Sequence, residues 1–417
     1  MDMTKSAAAA LLLTVLALGA TQARAQQFEE ARGNGDGPHA AVHVSFFSPL
    51  GTNGLRAPQY TNDFSLNMLV GVSKSERYLT IGGLANIVKS HASGLQIAGL
   101  GNYVGDGFLG VQLGGIGNIV GEEVLGLQFG GVFNTAGADM VGLQLSGVFN
   151  GAEDVTGFQV GGVANAAESV EGFQIGGVAN LAGGVMGIQL GGVFNSAAGG
   201  VAGIQISGVG NHAGDVSGLQ IGGLFNIARN VSGVQLAGLV NVADRSDYPI
   251  GLVNIIKDGE MAAGVNYNDL GTISLQFRSG GRVLYGIVGL GYNHRVSESR
   301  DAVSAIAGFG AHIGVTKWFR INNELTFENF GVFGGGNSGT DSDDDDFDAT
   351  FRTGYSLLPA FRLGRLELFG GPGIYYVHSS EPAMFDIFPK SSLWEKPRAD
   401  RRQQVYIGWQ AGLQFIF

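Results

Sequence analysis

The chain is 417 residues long, with 72 glycines, 45% hydrophobic residues, 14% charged residues and a formal net charge of −11. It contains no cysteine, which excludes disulfides, thiol catalysis, cysteine-ligated metals and a lipid-modified N-terminal cysteine. The acidic balance argues against nucleic acid as a partner, and loss of a leader carrying Lys5, Arg24 and Asp2 leaves it more acidic still.

Residues 1–25 read as a secretory signal peptide: Lys5 supplies the positive n-region, Ala7–Ala20 the apolar core, and Ala23-Arg24-Ala25 a small-x-small cleavage site. Residues 26–38 are then expected as a flexible N-terminus. Beyond the leader no run of 18 apolar residues free of charge and glycine remains, so membrane insertion is expected through a β-barrel rather than a helix. Two alternating stretches, Val42, Val44, Phe46 and then Phe64, Leu66, Met68, Val70, Val72, predict N-terminal barrel strands within 39–73. His39 and His43 share one strand face but stand about 13 Å apart, too far for one metal ion.

Over residues 77–257 a repeat takes over. Gln96, Gln112, Gln128, Gln144, Gln159, Gln174, Gln189, Gln205, Gln220 and Gln235 recur every 15 or 16 residues. Each is followed six positions later by an asparagine: Asn102, Asn118, Asn134, Asn150, Asn165, Asn180, Asn195, Asn211, Asn226 and Asn241. A fixed period of this size means one small unit stacked many times. Four places in the unit are apolar: the residue before Gln (Leu95, Phe158), the one after it (Ile97, Val160), the one four after it (Leu100, Val163) and one eleven or twelve after it (Val155, Val170). These are expected to face a core. The Gln and Asn series read first as structural ladders of buried or half-buried amides bonding one another, and second as ligand contacts.

Two all-β architectures fit the alternation. In one, each unit is a coil of a narrow three-sided β-solenoid. In the other, each unit is a strand of one large barrel of about 22 strands with two-residue turns. Tight turns at both ends of every strand would build a meander with almost no stagger, whereas barrel closure demands accumulated shear, so the solenoid is preferred. Residues 80–86 and 249–254 look like its caps.

From 260 to 417 the strands lengthen and alternate strictly. Val405, Ile407, Trp409, Ala411, Leu413, Phe415 and Phe417 share one face. Phe319, Ile321, Leu325 and Phe327 oppose Arg320, Asn322, Glu324 and Glu328 on another strand. This is the pattern of a lipid-facing exterior and a polar lumen, and it places Arg320, Glu324, Glu328 and Arg352 in the lumen. Short turns at 279–281, 316–317 and 363–365 alternate with long loops at 330–347 and 379–402, as in an antiparallel outer-membrane barrel with short turns towards the periplasm. Eight strands here plus the two N-terminal ones make ten; with 262–268 doubtful, eight is also allowed. On this count the repeat begins and ends at periplasmic strand ends.

The Gly-Leu-Gln-[Ile/Leu]-[Gly/Ser]-Gly-Val-Phe-Asn units, the opening Ser45-Phe46-Phe47-Ser48-Pro49-Leu50-Gly51-Thr52-Asn53-Gly54 and the exit Pro249-Ile250-Gly251-Leu252-Val253-Asn254 resemble a family of Gram-negative surface-repeat proteins of Bacteroidetes and spirochaete type. The resemblance covers most of the mature chain and implies no catalytic residue. The C-terminal part separately resembles small outer-membrane barrels ending on an aromatic residue, here Phe417.

No P-loop, nucleophile elbow or zinc-binding helix motif occurs, and His312 with Ser304 is the only hint of a hydrolase. The acidic run Asp341, Asp343, Asp344, Asp345, Asp346 has the oxygens for a divalent cation but lacks the glycine turn and distal glutamate of an EF-hand. It reads as a solvated loop with, at most, loose cation binding. The sequence thus predicts a non-enzymatic outer-membrane protein with no cofactor and no ligand named for the repeat. Its expected partners are membrane lipid and the barrel-assembly machinery, the latter through the last strand. A small-solute pore is the alternative.

Overall fold

The structure is a computed structural model that describes residues 37–296, 301–333, 350–380, 382–398 and 401–417. The expected signal peptide, the flexible N-terminus and the acidic run at 341–348 lie outside the described residues. The fold is all-β, with a parallel β-solenoid of about 13 turns and a closed eight-stranded antiparallel barrel. The chain divides into two compact units, Met1–Gly214 and Asp215–Phe417.

In the first unit the coils stack in strict register. Gln128 pairs with Gln112 on one side and Gln144 on the other, and Asn134 with Asn118 and Asn150, always in parallel. Parallel pairing of like with like rules out the single large antiparallel barrel. The spacing from Gln to Asn is constant, so the sixteenth residue of a long coil always falls between Asn and the next Gln. There the coil turns a corner, and an extra residue costs no ladder pairing, as the register shift between Ala182 and Gly184 illustrates. A second bend follows each Gln at Gly162-Val163 and its equivalents, and a third sits at a glycine such as Gly157, with φ of 130°. A side chain at Gly157 would meet the Gly142 carbonyl oxygen at 2.1 Å, so the close approach of successive coils also demands glycine.

Stacking begins earlier than the sequence suggests. Residues 39–73, expected as barrel strands, are the first coils: His39–Phe47 pairs in parallel with Thr61–Asn67, and that strand with Ser75–Gly82. Alternation is common to barrel and solenoid strands, which is why the pattern did not distinguish them. Residues 80–86 are therefore an interior coil, with Thr80 in register with Gln96. In the second unit the same coil recurs, Gln220 pairing with Gln235 and Asn226 with Asn241, up to Val253–Ile256.

Which residues point inward is the larger correction. The core of each coil holds Gln and Asn, both fully buried, with Val155, Val170 and their equivalents and a small residue two after Asn such as Val104 or Val120. The aliphatic places before, after and four after Gln point outward. Phe158 is 47% exposed, Leu145 40% and Val163 41%. Two amides per turn leave room for few apolar side chains, among them Phe108 and Met140 at the Val155 place, and most Phe, Leu and Ile point outside, where Phe158 stacks on Phe173 with ring centroids 4.9 Å apart.

The barrel strands are β1 (Glu260–Asn268), β2 (Thr272–Gly280), β3 (Leu284–Asn293), β4 (Asp301–Gly314), β5 (Phe319–Phe333), β6 (Thr350–Leu363), β7 (Leu366–Ser379) and β8 (Arg402–Ile416). Each pairs antiparallel with the next, and β1 closes on β8. The doubtful strand at 262–268 is thus the closing one, and the barrel has eight strands without any contribution from 39–73. The last coil meets the short β2–β3 turn: Asn254 donates from its backbone N–H to Ser279 Oγ (2.9 Å) and from Nδ2 to the Ser279 carbonyl (3.1 Å). These bonds cap an edge that would otherwise stand open.

Two predictions test the stack. Asn165→Leu strands the Nδ2 of Asn150, the Oδ1 of Asn180 and the Ile175 carbonyl, and should lower stability by about 1–3 kcal/mol in urea unfolding, whereas Ala164→Ser should stay within about 0.5 kcal/mol. Deleting Gly157–Glu171 removes one coil and joins equivalent ladder positions; far-ultraviolet circular dichroism should retain the β spectrum with cooperative melting.

Candidate functional site

Three groups of polar side chains could carry function: the amide ladders, the charged corner of the solenoid, and the barrel lumen. In the ladders, Gln112 Nε2 donates to Gln96 Oε1 (2.9 Å), and each later glutamine of the first unit up to Gln189 donates back in the same way. The asparagines run the other way, Asn102 Nδ2 donating forward to Asn118 Oδ1 (2.8 Å) and to the Leu113 carbonyl (3.0 Å). Opposed directions set the two columns of amide dipoles against each other. Only at the ends does the glutamine column leave atoms over, Gln96 Nε2 at the start and Gln235 Oε1 where Pro249 follows. Fully buried and mutually bonded, the amides present no group to a ligand.

One carboxylate replaces this chemistry near the N-terminal end. Glu76 is buried in the solenoid core at the place where later coils carry Phe108 or Val124, and it accepts hydrogen bonds from Asn62 (2.9 Å), Ser65 (2.8 and 2.9 Å) and Thr80 (3.0 Å). Burial raises its carboxyl above the ordinary glutamate value, and the hydrogen bonds pull it only partly back. Of the two histidines nearby, His39 faces Asp63 (3.0 Å) and His43 bonds Thr52 (2.9 Å); they share no ligand geometry.

The corner carries the charge. In the second unit Arg229 holds Asp215 in the next coil with two bonds of 3.0 and 2.8 Å, which with Asn230 lowers the Asp215 carboxyl to about 2. Arg245 likewise bonds Asp258 (3.0 and 3.2 Å). These two residues line a groove of about 380 Å³ against Arg282 in the β2–β3 turn. Asp258 there already has its cation, and Asp247, which also lines the groove, accepts from the Gly233 backbone N–H (3.2 Å).

In the lumen, Arg320, Glu324, Glu328 and Arg352 all point inward and are buried. Arg320 stands 2.6 Å from Glu260 and 2.8 Å from Glu367 near the short-turn end. Arg278 pairs with Glu324 at 2.8 Å midway, where Tyr285 also donates to Glu324 (2.9 Å). Arg352 reaches Asp269 (2.6 Å), Glu328 (3.6 Å) and the Tyr406 hydroxyl (2.9 Å) towards the long loops. Above that level the short helix Pro382–Ile387 folds in, and Met384, Ile387 and Phe388 pack with Leu270, Tyr375 and Tyr406 into an apolar plug. Sequence reading missed Arg278, Glu260, Glu367 and Asp269. Alternation on β1 and β2 points Arg278 and Glu260 inward, but their partners come from strands far along the chain.

His312 and Ser304 do not meet. They lie eight residues apart on β4, about 26 Å of extended strand. His312 stacks on Tyr285 (4.2 Å) and contacts Asn322 (2.8 Å), while Ser304 donates to Glu328 (2.9 Å). No group of three potential metal ligands occurs among the described residues. The strand thus keeps His312 and Ser304 at separate levels of the lumen, each bonded to a different partner.

Two consequences are measurable. Arg278→Met leaves Glu324 buried without its cation and should cost about 3–5 kcal/mol, while Arg278→Met with Glu324→Leu should recover most of that loss; the urea midpoint of the heat-modifiable gel band reads both. For Glu76, whose folded-state value is raised, the stabilising contribution is complete below the ordinary value of 4.5 and is lost as pH climbs through the raised one. Glu76→Gln should therefore melt higher than the parent at about pH 7 and converge with it at about pH 4.

Neither a protein-family model, nor a curated protein, nor a solved structure matches this chain.

Proposed function

We propose that this is a non-enzymatic outer-membrane protein in which the barrel is a sealed membrane anchor and the solenoid a scaffold. The observation that carries this reading is the polarity of the barrel. Leu275, Leu290, Leu325, Ile374, Ile407 and Leu413 stand at least half exposed around its outside, while charged and amide side chains fill its inside. In water such an arrangement exposes apolar surface and buries ions; in a bilayer both find their preferred surroundings. The leader expected at residues 1–25, the alternating apolar outer face of β8 and the resemblance of the repeat to Gram-negative surface-repeat proteins support the same address.

A sealed anchor is favoured over a solute pore because three ion-pair layers cross the lumen and an apolar plug closes its long-loop mouth. An eight-stranded barrel has room for little besides its own side chains. With the long loops outside the cell, the short-turn end and the coil that meets it face the periplasm.

Planar-bilayer recordings of the purified protein should show no steady conductance; stable ohmic channels would establish the pore instead. In cells, Asp154→Cys, the only thiol in the chain, should resist a membrane-impermeant maleimide until the outer membrane is permeabilised. Recovery of the mature protein in the soluble periplasmic fraction would refute the anchor.

A further inference from the structure

The solenoid is sided in the same sense as the barrel. Within every coil from Gly94 to Ala243, the stretch equivalent to Gly157–Ala167 contains no Asp, Glu, Lys or Arg; the charge falls between Asn and the next Gln, for example at Glu153, Asp154 and Glu168. Thr135, Ala166, Ser196 and His212 face out on the asparagine side, but the remaining outward residues of the uncharged stretch are mostly large and apolar: Leu145 and Phe158 on the glutamine side, Leu181 on the asparagine side, Val148, Val163 and Val178 at the bend between them. Each of the six is 40–49% exposed, which for a side chain sandwiched between neighbours in a stack is its whole outer surface.

Within the coil, meanwhile, backbone groups bond the neighbouring coils and the side-chain amides bond each other. This is the condition for placing a β-structure in hydrocarbon. Soluble monomers seldom expose apolar patches beyond about 300–600 Å², and here such surface covers the glutamine side and the bend of every coil from Gly94 on and parts of the asparagine side. A second copy or another protein docking on one side would leave the other in water; an enveloping apolar medium covers both. The surface also has the relief a hydrocarbon chain fits. A groove of about 560 Å³ runs along the stack past Ile97, Leu113, Phe129 and Leu145 over a floor that includes Gly114 and Gly130. It crosses four coils, about 14 Å at the inter-strand spacing.

We propose that the two uncharged sides of the solenoid and the bend between them lie in the acyl layer of a bilayer leaflet, with the charged corner turned to water. The solenoid is then a β counterpart of an interfacial amphipathic helix. The proposal rests on the membrane reading of the barrel, and its test separates the two. All three tryptophans, Trp318, Trp394 and Trp409, lie in the barrel part of the chain, so their quenching by brominated phosphatidylcholine reports barrel insertion alone.

In the same vesicles, nitroxide labels on Leu145→Cys, Val163→Cys and Asp154→Cys report the solenoid. At Leu145 and Val163, collision with oxygen should exceed collision with a water-soluble nickel chelate several-fold, and at Asp154 the order should reverse. Two outward positions are used so that one poorly folded variant does not decide the result, and circular dichroism checks each. With the tryptophans quenched, nickel access at Leu145 and Val163 equal to that at Asp154 would overturn the proposal. So would spin–spin broadening at those sites that vanishes on dilution with unlabelled protein, since it would show a second copy covering the face. Unquenched tryptophans would sink the membrane anchor itself.

Discussion

A primary amide shut inside a protein needs an acceptor for its N–H groups and a donor for its oxygen, and in a β-coil the same amide one coil away supplies both. The distance between coils is that of paired strands, about 4.8 Å, which suits side-chain amides reaching along the stack. Everything regular about the repeat follows from meeting this demand twice per coil, once for Gln and once for Asn. The interval from Gln to Asn never varies, because a change of one residue would turn one of the two amides to the outside and leave its neighbours unbonded. Insertions collect at the charged corner, where no ladder passes.

The same demand explains why the coil is inverted. Two amides and two apolar residues, most of them Val or Ala, fill the interior, and the other apolar residues of the coil point out. A solenoid stabilised by amide hydrogen bonds in its core is less dependent on burying hydrophobic surface within itself, and that surface becomes free to meet something else. The barrel reaches the same polarity by another route. Its apolar residues face out because a small barrel filled with Arg–Glu pairs, Tyr375 and Tyr406 has no internal space for them. Two unrelated architectures in one chain therefore present hydrocarbon outward and polar groups inward. A common apolar surrounding is the simplest condition that satisfies both.

The lumen gains its rigidity from bonds between distant strands. Arg278 and Glu324 are 46 positions apart, Arg352 and Asp269 83. Each pair ties non-adjacent parts of the sheet across the interior, and removal of one partner strands a charge away from water. These crossings, with the plug from 382–388, argue that the interior is built for closure. The junction at Asn254 and Ser279 serves a related purpose, since it ends a stack of parallel strands on side-chain and backbone groups of the barrel rather than on an open edge.

The sequence by itself determined the repeat and its period, because identical residues at a constant interval mark one unit repeated many times, and it favoured the solenoid over a large barrel on the stagger that closure demands; the parallel pairing of Gln with Gln decided between them. The sequence also determined the inward set Arg320, Glu324, Glu328 and Arg352, since strict alternation on a long strand with one apolar face leaves no other assignment. What it left open is which face of the repeat is inside. Period-two alternation defines two faces and names neither, and a preference for burying Leu, Ile and Phe gives the wrong answer when two amide ladders already occupy the inner face. The amide ladders were legible as buried or half-buried, but only the tertiary structure decided that they hold the core while the Leu, Ile and Phe beside them face out. It alone also assigned 39–73 to the solenoid, because a strand's identity lies in its partner: His43 is in register with Ser65, and Ser65 with Thr80. Likewise it alone matched Arg278 to Glu324, a pairing that depends on how the barrel closes and not on any local pattern of residues.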